Sequence, residues 1–352
     1  MRHYCTYFDV RFLSRGLALH ESLQAHAGEF KLWILCMDDD SYRLLTALAL
    51  PDVEAISLPG FLSDDARLGR VRSQRTKVEF YFTCTPSLPL YVLNCDPSID
   101  LITYLDADLW FTASPEPLFT ALGADSIGII SHRFPDYLND RKIFGLYNVG
   151  LVAFRRDQRG LACLEWWRDR CIEWCHDRVE DGRYADQRYL DDWPTRFDGV
   201  CVLQHKGANL AVWNLANYEL RWSDEGLTVD HEPLIFFHFH GLRWVWKSIV
   251  DLNSAFYQLR LSELAITRIF EPYIRRIIEI EAPLDPQSGR RLPTPRRTVA
   301  ARLKSLCALV PNLVRRHYVV VMSNRLWWWK FGTAESTAKR GAMVSCLNAQ
   351  EE

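Results

Sequence analysis

Two aspartates one residue apart, Asp106 and Asp108 in the run ITYLDADLWF, close an apolar stretch that reads as a buried strand. Unpaired carboxylates about 4 Å apart repel by roughly 4 kcal/mol at an effective dielectric near 20, so the pair requires a cation between its members. In extended backbone residues i and i+2 project to one side, with only the small Ala107 between them, and both carboxylates can grip one ion. Hard oxygen donors favour Mg²⁺ or Mn²⁺, ions that keep positions open for substrate phosphates. A DxD also occurs at plain solvated loop ends, and a third ligand from a distant segment weighs toward the metal. The apolar run LIFFHFHGLRW offers one, because it ends in His238 and His240 ahead of Gly241.

A scaffold must bring these segments together. HYCTYF, FKLWILCM and VEAISL read as strands separated by helical patterns around 17–24 and 42–48. This β-α-β-α-β opening implies parallel strands with right-handed crossovers. A helical stretch over 77–92, interrupted at Pro86 and Pro89, leads into LITYLD and puts the acidic pair at a strand's carboxyl end. Open α/β sheets bind their ligands at such ends. SIGIIS, YNVGLVAF, VCVLQ and LIFFHF read as further strands around a helix over 161–177, and a last helix over 264–280 carries Pro272, which should kink or restart it. The Pro/Gly/basic run APLDPQSGRRLPTPRR then reads as a linker, dividing the chain into a domain of residues 1–285 and an extension of residues 286–352.

With 352 residues, 48% hydrophobic and 24% charged, the composition is that of a folded globular chain. The net charge of −2 conceals an asymmetry: residues 286–352 hold 12 Lys+Arg against 3 Asp+Glu, the rest 30 against 41. An acidic body argues against nucleic acid as a partner. The basic extension, with Trp327, Trp328 and Trp329 between Arg325 and Lys330, suits peripheral contact with an anionic membrane surface, and a terminal helix docked on its own core is the plainer reading. The N-terminus carries no apolar stretch suited to a signal peptide, and no run of about 18 apolar residues occurs, so a cytoplasmic protein is expected, at most peripheral at the inner face of the membrane. Cys171, Cys175 and His176 could mimic a zinc cluster, but they share a helix face with Leu164 and Trp167 and read as core.

YLDADLWF, YNVGLVAF, ADQRYLDD and HFHG, in that order, resemble motifs of GT-A-fold glycosyltransferases related to family eight, the glycogenin and bacterial galactosyltransferase group. The opening YCTYFDVRFLSRGLALHESL, with KVEFYFTCTPSLPLYVL and WWRDRCIEWC, resembles a bacterial branch of that group. The resemblance covers about residues 1–250 and implies an α/β fold, a Rossmann-like mixed sheet flanked by helices. It implies Asp106, Asp108 and His238 as ligands of Mn²⁺ or Mg²⁺ holding the diphosphate of a nucleotide sugar, with His240 as the rival to His238. Tyr7 and Asp9 fall where base or ribose is contacted, and Lys77 falls where a basic residue faces phosphate or sugar, in competition with Arg72 and Arg75. Ala107 lies between the two carboxylates on the donor. Asn148, Asp186 and Gln187 line the sugar pocket, the last two below the anomeric carbon as candidate catalytic groups. The family often continues HFxGxxKPW, whereas this chain reads on from Gly241 as Leu242-Arg243-Trp244-Val245-Trp246. Either Arg243 or Lys247 replaces the missing charge, or the donor is held less tightly.

The expected function is therefore a metal-dependent transfer of sugar from a nucleoside diphosphate sugar to an unidentified glycan, lipid-linked or protein acceptor, with retention implied by the resemblance. A non-catalytic protein that binds nucleotide sugar or glycan on the same fold is the alternative. Dehalogenase-like phosphatases carry their DxD after the first strand, and nucleotidyltransferases need a glycine-rich loop that FDVRFLSRG lacks.

Overall fold

Strand β1 (Arg2–Phe8) is buried along nearly its whole length, as a strand covered on both faces must be. Around it runs a seven-stranded sheet of β2 (Phe30–Cys36), β3 (Val53–Ser57), β4 (Leu101–Leu105), β6 (Ile127–Ser131), β7 (Tyr147–Arg155) and β8 (Val200–Leu203), while β5 (Leu109–Phe111) pairs elsewhere. The order is β3-β2-β1-β4-β7-β6-β8. β1 to β4 are mutually parallel; the helices Leu13–His26 and Asp39–Leu48 join β1, β2 and β3 in the expected alternating pattern, and a helical stretch ending in Lys77–Cys95 leads from β3 to β4. β7 then enters antiparallel between β4 and β6, and β8 lies parallel to β6. The architecture is mixed α/β. The computed structural model describes residues 1–246, 248–284, 312, 315, 317–322 and 325–327.

The helix Lys77–Cys95 opens with a capping box, Thr76 and Glu79 exchanging side-chain and backbone hydrogen bonds. Against the sequence expectation, Pro86 and Pro89 do not interrupt it. Each removes one backbone donor, but both rings are buried, and Phe80, Cys84, Leu88 and Leu93 of the same helix pack into the main core. That burial outweighs two missing rungs. Cys171 and Cys175 lie in the same core, with Leu164 and Trp167.

A short second sheet carries the histidine. After β9 (Leu210–Ala211), an antiparallel meander of β10 (Leu220–Ser223), β11 (Gly226–Val229) and β12 (Glu232–Pro233) leads to β13 (Phe236–His238). β13 pairs antiparallel with β5 and parallel with β9, setting His238 opposite Leu109 and Ala211. The last helix restarts where Pro272 predicts: α-helix over Glu263–Ala265 widens to a π turn over Ile266–Phe270 and resumes over Glu271–Leu284. A proline ring displaces the carbonyl four residues back, and a π turn makes that space. Arg276 fixes this helix to the helix Leu13–His26 through both oxygens of Glu21, at 2.6 Å each.

The chain divides into two compact units, one of Met1–His240 with the helical segment from Glu263, the other of Gly241–Ser262 with the described residues from 312 onward. The second unit is an antiparallel sheet of β14 (Arg243–Trp246), β15 (Ile249–Asp251), β16 (Tyr318–Met322) and β17 (Arg325–Trp327). Lys247, Trp328, Trp329 and Lys330, the linker from 285 and most of the basic extension lie outside the described residues, as do the side chains of Arg325 and Trp327. Among the described residues no helix is long and apolar enough to cross a membrane.

Candidate metal and donor site

The acidic pair does not sit on extended backbone, as the sequence pattern predicts, but on a turn joining β4 to β5, in which Leu109 N–H donates to Asp106 O (3.3 Å). β7 steadies one side, Asp106 N–H donating to Gly150 O (3.0 Å), and β13 the other, Phe239 N–H donating to Asp108 O (3.0 Å). The turn thus hangs between the two sheets, and His238 arrives from the second one. Its Nε2 lies 3.2 Å from Asp108 Oδ1 and 3.5 Å from Asp106 Oδ2. One donor atom from each of the three residues falls within 4.8 Å of the others. Cis ligands of an octahedral ion with bonds of about 2.1 Å stand about 3 Å apart; the two separations from His238 Nε2 are close to that spacing, and a donor set of two carboxylates and an imidazole suits Mg²⁺ or Mn²⁺. His240, the rival ligand, is exposed and is not a member of the converging group.

Exposure is graded across the triad: His238 is 2% exposed, Asp108 14% and Asp106 31%, so the group opens toward solvent on the Asp106 side. Burial opposes ionisation of Asp108, yet the charge and hydrogen bond of His238, with His240 and Arg15, hold its carboxyl down at about 2. At Asp106 burial prevails and, with the charge of Asp108, raises the carboxyl against the pull of His238 and Tyr104. The Tyr104 hydroxyl donates to Asp106 Oδ1 (2.8 Å), leaving Oδ2 toward His238. Burial pulls the His238 imidazole down, but the two carboxylates outweigh it and raise it.

No family model matches the chain. It is 30% identical over 292 residues to the uncharacterised Bacillus subtilis protein YfnF, covering 81% of this chain and 95% of YfnF. It is likewise 30% identical over 275 residues to B. subtilis YfnD, covering 77% and 87%. The chain belongs to the family of YfnF and YfnD. Solved structures similar to this family member include mouse xyloside xylosyltransferase 1, with 14% identity, a TM-score of 0.45 and coverage of 68% of this chain and 98% of that one. Another is the galactosyltransferase LgtC in complex with donor and acceptor sugar analogues, at 18%, 0.44, 68% and 87%.

In this YfnF-family chain the other predicted residues fall into three places. Asn148 joins the triad directly and Gln187 through it: Asn148 Oδ1 lies 3.2 Å from His238 Nδ1, and Asn148 Nδ2 donates to Gln187 Oε1 (3.2 Å). Asp186 is buried, its carbonyl accepting from Trp167 Nε1 (2.8 Å). Burial pushes its carboxyl up to about 7, Thr85 opposing and Asp106 adding to the rise. Ala185 before it holds φ +46, a left-handed conformation that costs an L-residue about 1–2 kcal/mol. Tyr7 reaches the same region, its hydroxyl 3.1 Å from Thr85 Oγ1 and its ring 5.8 Å from Tyr104.

Asp9 and Lys77 form a second cluster. Asp9 caps the turn after β1 and is 2% exposed, with Oδ2 paired to Lys77 Nζ (2.7 Å) and Arg11 Nη2 (2.9 Å) and accepting from the Tyr81 hydroxyl (3.2 Å). Tyr7 links the clusters, its ring 5.9 Å from Tyr81. Of the rivals to Lys77, Arg75 donates to the carbonyls of Ile172 and Glu173, and Arg72 lies over the Phe80 ring. Gly241 and Arg243 belong to the second unit, where Gly241 has φ +72 beside Asn253 and Arg243 pairs with Asp251 (2.8 Å).

Sequence reasoning missed four residues that shape the site. Gly150 is required because a Cβ there would stand 2.6 Å from Asn148 Oδ1 and 2.8 Å from His238 Nδ1. His132 meets Asn148 Nδ2 through Nε2 (3.3 Å), and burial drives it down to about 3, so it is neutral. Trp213 packs edge-on to His238 (5.0 Å). Glu79 accepts from Thr76 N and Asp177 N and meets His176 Nδ1 at 2.9 Å, tying the helix Lys77–Cys95 to the segment that ends in Asp186. Gly150 carried a signal as the glycine of YNVG and Glu79 as the last residue of the T-x-x-E capping box, while His132 and Trp213 carried none.

Proposed function

We propose that the protein is a GT-A-type glycosyltransferase that moves a sugar from a nucleoside diphosphate sugar to an acceptor, with retention of configuration. The observation that carries this reading is the meeting of Asp106, Asp108 and His238, from segments some 130 residues apart, at separations that suit one hard divalent cation. Asp106, Asp108 and His238 would hold Mn²⁺ or Mg²⁺, which would supply positive charge against the leaving diphosphate. The four ordered motifs resembling family eight support the same reading.

The chain's own residues have divided tasks. Asp106, with Oδ1 held by Tyr104, and Asp108, with its carbonyl held by Phe239 N–H, present oxygens on a turn fixed from both sides. That preorganisation lowers the cost of ordering when donor binds. Asp186 and Gln187 serve the sugar, Gln187 with its amide aligned by Phe144 O (2.9 Å) and Asn148. A desolvated carboxyl at Asp186 suits hydroxyl recognition and the support of positive charge at the anomeric carbon. Tyr7, with Asp9 and Lys77 behind it, forms the side on which the nucleotide lies.

The test is a panel of nucleotide sugars incubated with the full chain and Mn²⁺, following release of nucleoside diphosphate. Turnover of one donor, abolished by chelator and lowered at least about 100-fold by Asp108→Ala, is the expected result. Measurable donor binding with no Mn²⁺-dependent release for any sugar would refute the transferase and favour a binding protein.

A further inference from the structure

The amide of Asn148 is bonded on every side by protein, and its orientation is fixed by a backbone group. Gly150 N–H donates to Asn148 Oδ1 at 3.0 Å, and since only an oxygen accepts there, the oxygen and nitrogen ends of the amide are assigned. His238 Nδ1, 3.2 Å from that same oxygen, must then carry a hydrogen and donate it. Nε2 is the nitrogen left facing Asp106 and Asp108.

On the other end both hydrogens of Nδ2 are engaged. One goes to Gln187 Oε1 (3.2 Å), whose own orientation is fixed because Gln187 Nε2 donates to Phe144 O (2.9 Å). The other goes to His132 Nε2 (3.3 Å), which must be an acceptor and therefore unprotonated. Asn148 is 6% exposed, so these bonds are made away from water, where a missing partner costs most.

We infer that Asn148 is a positioning residue whose single side chain sets the ring of His238 and the amide of Gln187 together, with His132 as the acceptor that anchors it. This departs from the expectation that Asn148 binds the sugar: its two hydrogens and two accepting positions are taken by four protein partners. The inference rests on the reading of Asp106, Asp108 and His238 as a metal site.

Two measurements that need no turnover test it. Mn²⁺ binding to the full chain, read by the loss of the free-ion paramagnetic signal, should weaken about 10- to 100-fold in Asn148→Ala. His132→Leu should also weaken it, and His132→Gln, which restores an accepting oxygen, should recover most of the loss. Nitrogen-15 spectra of histidine-labelled protein should show a neutral His132 with its hydrogen on Nδ1, the signal being assigned by its disappearance in His132→Gln. The inference is overturned if wild type binds Mn²⁺ and both Asn148→Ala and His132→Leu bind it equally well, or if His132 carries its hydrogen on Nε2. A wild type that binds no Mn²⁺ overturns the metal reading beneath it instead, and the two failures are thereby told apart.

Discussion

Asp186→Asn should stabilise the metal-free protein, and more so at alkaline than at acid pH. Burial raises the Asp186 carboxyl from 3.8 to about 7, a rise of roughly three pKa units. The folded state therefore holds this proton more tightly than the unfolded chain does. Between the two values the unfolded state binds fewer protons, so stability falls as pH rises from about 4 to about 7 and levels off above. At 1.36 kcal/mol per unit the full loss is about 4 kcal/mol, of which about 2 kcal/mol is already present at pH 5. Asparagine keeps the shape and cannot ionise, so it removes the whole pH-dependent part. The difference in unfolding free energy between Asp186→Asn and wild type, measured by urea denaturation with chelator present, should be about 2.5 kcal/mol larger at pH 8.5 than at pH 5. Any constant cost of losing a hydrogen bond to Thr85 cancels in that comparison. A difference equal at the two pH values to within about 0.5 kcal/mol would mean that the carboxyl is solvated, and the account of a dry sugar-facing acid would fail.

Mn²⁺ should raise the stability of wild type, by about 2.7 kcal/mol at a free concentration one hundred times its dissociation constant, and should leave Asp106→Asn and Asp108→Asn unmoved; equal stabilisation of all three in thermal denaturation would place the ion elsewhere. Gly150→Ala puts a methyl 2.6 Å from Asn148 Oδ1 and 2.8 Å from His238 Nδ1, and should weaken Mn²⁺ binding by at least about tenfold while far-ultraviolet dichroism is retained. Unchanged affinity would show that β7 yields instead. Glu79→Ala removes the capping box and the bonds to His176 and Asp177, and should cost about 2–3 kcal/mol in urea denaturation, with a loss under 0.5 kcal/mol refuting its role as a tie.

What could be read before the fold was known depended on how local each signal is. β1, β2 and β3 were legible because each is a short apolar run bounded by helical spacing, and Asp106 and Asp108 because two like charges beside each other raise a question that sequence alone poses. Their turn conformation was not, since it is imposed by Gly150 O and Phe239 N–H, which lie 40 to 130 residues away. Continuity of the helix through Pro86 and Pro89 was hidden for a related reason: proline's cost is local and visible, whereas the compensating burial belongs to the assembled core. The strand end LIFFHFHG offered His238 and His240 alike, and only the motif's spacing to Gly241 chose between them. Asn148 was found as a member of YNVG, but its partners His132, Gly150, Gln187 and His238 converge from separate segments, and no spacing encodes that.

The direction of β7 explains why the motif has the order it does. Strands β1 to β4 run parallel, so their carboxyl ends gather at one edge, and the acidic turn follows β4 there. β7 runs the opposite way beside β4, with Leu151 opposite Leu105. Its first residues, not its last, therefore reach the acidic turn, and this places Tyr147, Asn148 and Gly150 ahead of the apolar LVAF that fills the sheet. Had β7 been parallel, the polar residues would have had to follow the apolar run, as Asp106 and Asp108 follow LITYL. The reversal of strand direction at β4 and β7 is thus what lets one strand end offer carboxylates and the neighbouring strand start offer the amide that holds their histidine partner.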